Sequence, residues 1–118
     1  MSKRVVVTGM GVISPLGNSI PKYWESISKG KNGIKDITLF DTSEFQVHIA
    51  GESNIDLTNF LDSKLLNKID RFTAFALIAS KQAIKNSNLD INKIRSNRAG
   101  VIIGSGIGGM NTFESQHK

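Results

Sequence analysis

Apolar residues in this chain fall into two patterns, short continuous runs and helical stripes, which succeed one another along it. Val5-Val6-Val7 is an unbroken β-branched run closed by Gly9, as in a strand covered on both faces, and Ala99-Gly100-Val101-Ile102-Ile103 repeats the pattern near the other end. Between these runs, Ile20, Trp24 and Ile27 share one face of a helix predicted from about Pro21 to Lys29, with Ser19 as its cap and Gly30 as its stop. A stronger helix ends at Ser87 and carries Phe72, Phe75, Ala76, Ala79 and Ala83 at helical spacing. It begins near Lys64, or at Asp70 if the segment is broken, and its small alanines imply close packing against a neighbour. Gln46 to Gly51 alternates as a half-buried strand would, Gly33 to Ser43 reads as irregular, and Gly9 to Asn18 is a turn-rich connection. Helices set between two buried strands predict an α/β chain with a parallel sheet.

The second strand empties into Gly104-Ser105-Gly106-Ile107-Gly108-Gly109, a loop whose backbone can approach a ligand or another backbone closely because glycine has no Cβ. Its letters satisfy G-x-G-x-x-G, the fingerprint of a pyrophosphate site at a helix N-terminus. A dinucleotide site also wants an acidic residue about 20 residues further on to hold the ribose, and nine residues follow Gly109. A free-standing nucleotide-binding domain therefore lacks its ribose partner, and no cofactor or metal is expected. What the loop contacts is expected to lie beyond Lys118, since Glu114 to Lys118 carries no helix stop signal and the chain reads as cut.

The composition of 118 residues, 39% hydrophobic and 21% charged, is that of a globular domain or a piece of one. No run approaches a membrane span, and Met1-Ser2-Lys3-Arg4 leads into the first apolar run with no signal-peptide core, so the cytoplasm is the expected compartment. The chain has no cysteine, which removes disulfides, thiolate metal sites and cysteine nucleophiles from its own chemistry. Its net charge of +5 is concentrated between residues 58 and 98. There Lys64, Lys68, Arg71, Lys81, Lys85, Lys93, Arg95 and Arg98 face only Asp62, Asp70 and Asp90. The basic residues are not interleaved with aromatics as in a nucleic-acid surface, so the segment reads as a docking face for an acidic protein or as a solvated helix face. His48 and His117 read as structural or surface histidines. Neither Asp41 with Glu44 nor Asp70 with Arg71 is assigned acid/base work, because capping and surface pairing account for both.

The segments Arg4 to Asn18 (RVVVTGMGVISPLGN), Phe40-Asp41-Thr42-Ser43 and Gly104 to Gly109, in that order, resemble the N-terminal part of the β-ketoacyl-acyl-carrier-protein synthases, closest to the type II condensing enzymes of bacterial fatty-acid synthesis. The resemblance spans essentially the whole chain. It implies the first part of a thiolase-type fold, two α/β halves in αβαβα layers, working as a homodimer. It also implies decarboxylative Claisen condensation: a cysteine holds the acyl chain as a thioester, and two histidines assist the decarboxylation of malonyl-carrier protein. The family places all three residues beyond Lys118, so residues 1–118 are expected to be a partial domain, inactive alone. By position, Ile107, flanked by Gly106 and Gly108, matches the residue that lines the acyl pocket and gates the growing chain; packing under the loop at the dimer interface is the alternative. Lys64 and Lys68, at i, i+4 on one helix face with Arg71 nearby, match the patch that docks the acidic acyl carrier protein. Asn67 departs from relatives that carry a third basic residue there. A non-catalytic, chain-length-determining partner of an active synthase is the alternative function.

Overall fold

In the computed structural model, which describes residues 3–94 and 96–117, the chain resolves into two units. Residues Val12–Asp56 form one, and Met1–Gly11 with Leu57–Lys118 form the other. Met1 and Ser2 of the expected N-terminal lead, Arg95 of the basic segment, and Lys118 lie outside the described residues.

In the unit of residues 12–56, α1 spans Ile20–Ser28, close to its predicted bounds. Ser19 sits at the N-cap in extended conformation but makes no side-chain cap bond, and Pro21 occupies the first turn, where its missing N–H costs nothing. The stop is Gly30, whose φ of +62° few other residues adopt. Gly30 N–H donates to Ile27 O (2.9 Å) and Lys31 N–H to Ser26 O (3.0 Å), the paired bonds of a Schellman motif. The predicted apolar face is largely uncovered, with Trp24 67% exposed, and the buried residue of α1 is Ser26.

Two short strands follow, β1 (Lys35–Asp36) and β2 (Ile49–Ala50), antiparallel with Lys35 opposite Ala50 and Asp36 opposite Ile49. The alternation over Gln46 to Gly51 thus yields only two paired residues, and their partner lies in the segment read as irregular. Glu52 extends the hairpin: its carboxylate accepts from the N–H groups of Thr38 (3.0 Å) and Leu39 (3.2 Å) and from the Thr38 hydroxyl (2.7 Å). A side chain here takes the place of a strand neighbour.

The other unit carries α2 (Ser63–Leu66), α3 (Arg71–Ser87) and α4 (Met110–His117), with 3-10 turns at Leu57–Asn59, Ile91–Lys93 and Ser96–Arg98. The long predicted helix is broken, as one of its two alternatives allowed. Asp62 caps α2 through a bond from Lys64 N–H (2.6 Å), Asn67 ends it, and α3 starts afresh after Asp70. Asn88, at φ +55°, closes α3; asparagine tolerates that left-handed region better than most residues.

The alanine stripe of α3 receives the Gly9–Gly11 segment. A Cβ at Gly9 would overlap the Ala83 carbonyl and one at Gly11 the Ala79 carbonyl, and Met10 N–H donates to Asn86 Oδ1 at 3.0 Å. The most buried residues of α3 are Ala74 and Ile78, on the side opposite this stripe, so the helix is covered on two sides where a single stripe predicts one.

Neither predicted buried strand forms. Val5 is 92% and Ile102 98% exposed, and among the described residues the sheet is one two-stranded antiparallel ladder, not a parallel sheet. A β-branched run supplies propensity, but a strand exists only where its N–H and C=O groups meet a neighbouring ladder. No described segment pairs with either run. Among the described residues no helix is long and apolar enough to cross a membrane.

Candidate functional site: the glycine loop and the basic turn

The glycine loop leads directly into α4. Within it the Ser105 hydroxyl accepts from Gly108 N–H (3.1 Å), and Gly108 adopts φ +89°, so the chain folds back around Ile107. Ile107 projects from this turn with its side chain 82% exposed. Among the described residues no atom would meet a Cβ at Gly104, Gly106 or Gly108. Gly109 differs: a Cβ there would overlap the Asp70 carboxylate.

The basic candidates sit on a different local structure from the one their spacing predicts. Lys64 lies in α2, but that helix ends at Leu66, and Lys68 follows the Asn67 C-cap in a turn held by its N–H bond to Leu65 O (2.9 Å). The two lysines therefore do not share one helix face; the break at Asn67 replaces the i, i+4 relation with a helix-plus-turn arrangement. Arg71 opens α3 and lays its guanidinium 4.9 Å above the Phe75 ring, a cation–π contact that holds the side chain near the turn. All three cations are exposed.

Sequence reasoning set Asp70 aside as a capping or surface acid, yet its side chain does neither. It occupies the N-cap position of α3 without capping that helix, and Oδ1 accepts instead from the Thr112 hydroxyl in the first turn of α4. The only local signal was a residue type suited to capping ahead of an apolar helix; a partner 42 positions away leaves no trace in spacing.

The histidines and Asp41 have local partners. His48 Nδ1 lies 3.2 Å from Thr42 Oγ1, His48 O accepts from Ile37 N–H (2.8 Å), and His117 stacks on Phe113. Asp41 accepts from the backbone N–H of Ser43 and from its hydroxyl, both at 3.0 Å. These bonds, the backbone one foremost, hold its carboxyl below the ordinary 3.8. A depressed folded value adds stability that is present above 3.8 and lost as pH falls through the folded value. The Ser43→Ala variant keeps the backbone donor and loses the hydroxyl, so the Asp41 midpoint is expected to move part of the way back to 3.8 in a carboxyl-carbon NMR titration. An unmoved midpoint would rule the hydroxyl out as a cause.

In the unit of residues 12–56, a cleft of about 320 Å³ is lined by Ser14, Asn18, Lys22, Lys35, Asp36 and Glu52 among others. None of the loop or basic-turn candidates borders it, and its Glu52 carboxylate is committed to Thr38 and Leu39.

Comparison with known proteins bears on the loop and the turn together. The profile of the β-ketoacyl synthase N-terminal domain matches residues 2–118. The chain is 50% identical over 118 residues to 3-oxoacyl-[acyl-carrier-protein] synthase 2 of Staphylococcus aureus (strain COL), covering 99% of this chain and 28% of that protein. It is 47% identical over 115 residues to the synthase of the same name from Synechocystis sp., again covering 28% of the relative. Among solved structures, the ishigamide ketosynthase/chain length factor superposes with a TM-score of 0.68 at 28% identity, covering 75% of this chain and 22% of the other. A ketosynthase bound to the hexaketide, in complex with its type II polyketide acyl-carrier protein, superposes with a TM-score of 0.59 at 31% identity, covering 82% and 24%. The chain thus spans about 28% of the length of these curated relatives, and every motif that carries the resemblance lies inside the matched span. This chain belongs to the β-ketoacyl synthase family and carries sequence of its N-terminal domain.

Proposed function

We propose that the chain is the first part of a cytoplasmic, homodimeric 3-oxoacyl-[acyl-carrier-protein] synthase of the type II class, which extends fatty-acyl chains by decarboxylative condensation. Half-identity to the Staphylococcus aureus synthase over nearly the whole chain is the observation that carries this reading. The complete protein takes the layered thiolase-type architecture. Its nucleophilic cysteine, of which this chain has none, and its two histidines belong to parts of the protein outside residues 1–118, as the resemblance to the family implies. In the reaction the cysteine thiolate holds the acyl group as a thioester; malonyl-carrier protein loses carbon dioxide, and the resulting carbanion attacks the thioester carbonyl. A carbon–carbon bond forms as the thiolate leaves.

Within that scheme residues 1–118 supply access and recognition, with no catalytic group among them. Ile107, on a turn flanked by glycines and closed by the Gly108 N–H bond to the Ser105 hydroxyl, gates the acyl pocket with Gly106 and Gly108 as its hinges. Lys64, Lys68 and Arg71 dock the acidic carrier protein. Support for a carrier partner comes from the solved ketosynthase that binds one.

The test is a condensation assay on the full-length protein with acyl- and malonyl-carrier protein. A 3-oxoacyl product, together with an Ile107→Phe variant that loses long acyl substrates about tenfold more than short ones, the scale of a crowded apolar pocket, is the expected result. No product from a full-length protein that lacks the cysteine would favour the second reading, a chain-length-determining partner. The name of the ishigamide ketosynthase/chain length factor is the observation on its side.

A further inference from the structure

We propose that Asp70 is a positioning residue for the glycine loop: through Thr112 it fixes where the loop presents Ile107, and so sets how acyl chains are discriminated by length. This rests on the synthase reading above for its consequence, but the contact itself belongs to the chain.

Aspartate is among the preferred N-cap residues, and Asp70 stands at the N-cap of α3 with the extended backbone that position requires. Its side chain nevertheless forms no bond to the first turn of its own helix. Oδ1 accepts from Thr112 Oγ1 on α4, and the carboxylate lies against Gly109, where any Cβ would collide with it. Gly109 is not at positive φ, so what excludes larger residues is the carboxylate's close approach and not backbone conformation.

The placement has an electrostatic logic as well. A carboxylate beside the first turn of α4 meets the positive end of that helix dipole. Upstream, Ser105 and Gly108 close the turn that carries Ile107, and among the described residues nothing crowds Gly104, Gly106 or Gly108. The open stretch therefore ends on a clamp two residues after Ile107. Asp70 also follows the basic turn that holds Lys68, so the loop's anchor and the proposed carrier-docking surface are neighbours in the chain.

The experiment uses the full-length protein with Asp70→Ala, Thr112→Val, the double variant, and Thr112→Ser as the conservative control. Two quantities are read: the ratio of kcat/KM for a long against a short acyl-carrier substrate, and amide hydrogen exchange across residues 105–109. Each single variant is expected to change the substrate ratio about tenfold and to speed loop exchange by a similar factor, the scale of one charge-assisted hydrogen bond. The double variant should go little further than the stronger single one, because both remove the same contact, and Thr112→Ser should behave as wild type. Equal losses on both substrates with loop exchange unchanged would overturn the proposal and leave Asp70 a general stabiliser. If the wild-type protein makes no 3-oxoacyl product, the synthase reading fails separately, and loop exchange still decides whether Asp70 fixes the loop.

Discussion

Replacing Gly11 by alanine is expected to cost the full-length protein about 3 kcal/mol of stability, the upper end of the usual penalty for forcing an extra group into a packed region. Gly9 and Gly11 lie two apart, so in an extended segment they present the same side, and Ala79 and Ala83 lie four apart on one face of α3. The two periodicities bring glycine onto alanine twice over, and at each meeting an added Cβ would overlap a backbone carbonyl oxygen. The nature of the obstacle makes the prediction specific. A flexible side chain could swing away, but the Ala79 carbonyl is held in the helix hydrogen-bond ladder and cannot move without breaking it. Trimming the neighbour with Ala79→Gly should therefore give no rescue. Gly33→Ala, which would meet only side-chain atoms of Pro15 and Leu16 at 3.0–3.2 Å, should cost less. Denaturant titration of these variants checks the order, and a Gly11→Ala cost no greater than that of Gly33→Ala would refute the close approach.

That contact also shows which parts of the structure the sequence could announce. The alanines of α3 implied a close neighbour, and one is there, because small side chains at helical spacing are a local record of a packing distance. The bounds of α1 and α3 were legible for a similar reason: Pro21, Gly30 and Asn88 act on the turn they sit in. Pairing is different in kind. Val5 to Val7 and Val101 to Ile103 have strand composition, but composition does not provide the ladder, and neither run finds one among the described residues. The Lys64–Lys68 relation failed on a single cap, since i, i+4 places two residues on one face only if the helix continues through both, and Asn67 ends it. Asp70 shows the limit most clearly. Its residue type suits a local cap, whereas the bond it makes reaches α4, and only the folded chain brings the two together.

Reversing the charge of the basic turn, with Lys64→Glu and Lys68→Glu together, is expected to lower kcat/KM for carrier-bound substrates about 10- to 100-fold in the full-length protein. Electrostatic complementarity acts chiefly on encounter and register, and like charges across an interface are actively unfavourable, so substitution by glutamate should hurt more than substitution by alanine. The loss should fall on KM for the carrier substrate, with kcat changed little, because the lysines touch no reacting atom. Short acyl thioesters without a carrier supply the control: they have no acidic surface to dock, so their turnover should be nearly unaffected. Raising the salt concentration should weaken the wild-type protein toward the variant, since exposed charges separated by more than about 8 Å are screened at physiological ionic strength. The departure at Asn67 offers the opposite experiment. Asn67→Arg places a third cation between the two lysines, at the cap where α2 ends, and is expected to lower KM for carrier substrates severalfold at low salt. Lys64 and Lys68 differ in their supports, one in a capped helical turn and the other on the turn beyond it, so the single variants should be unequal. Lys64→Glu should show the larger effect, because its backbone is fixed by the Asp62 cap and less side-chain and chain freedom is lost on docking. Equal losses on carrier-bound and carrier-free substrates would show that the turn serves stability, and would remove these lysines from the docking surface.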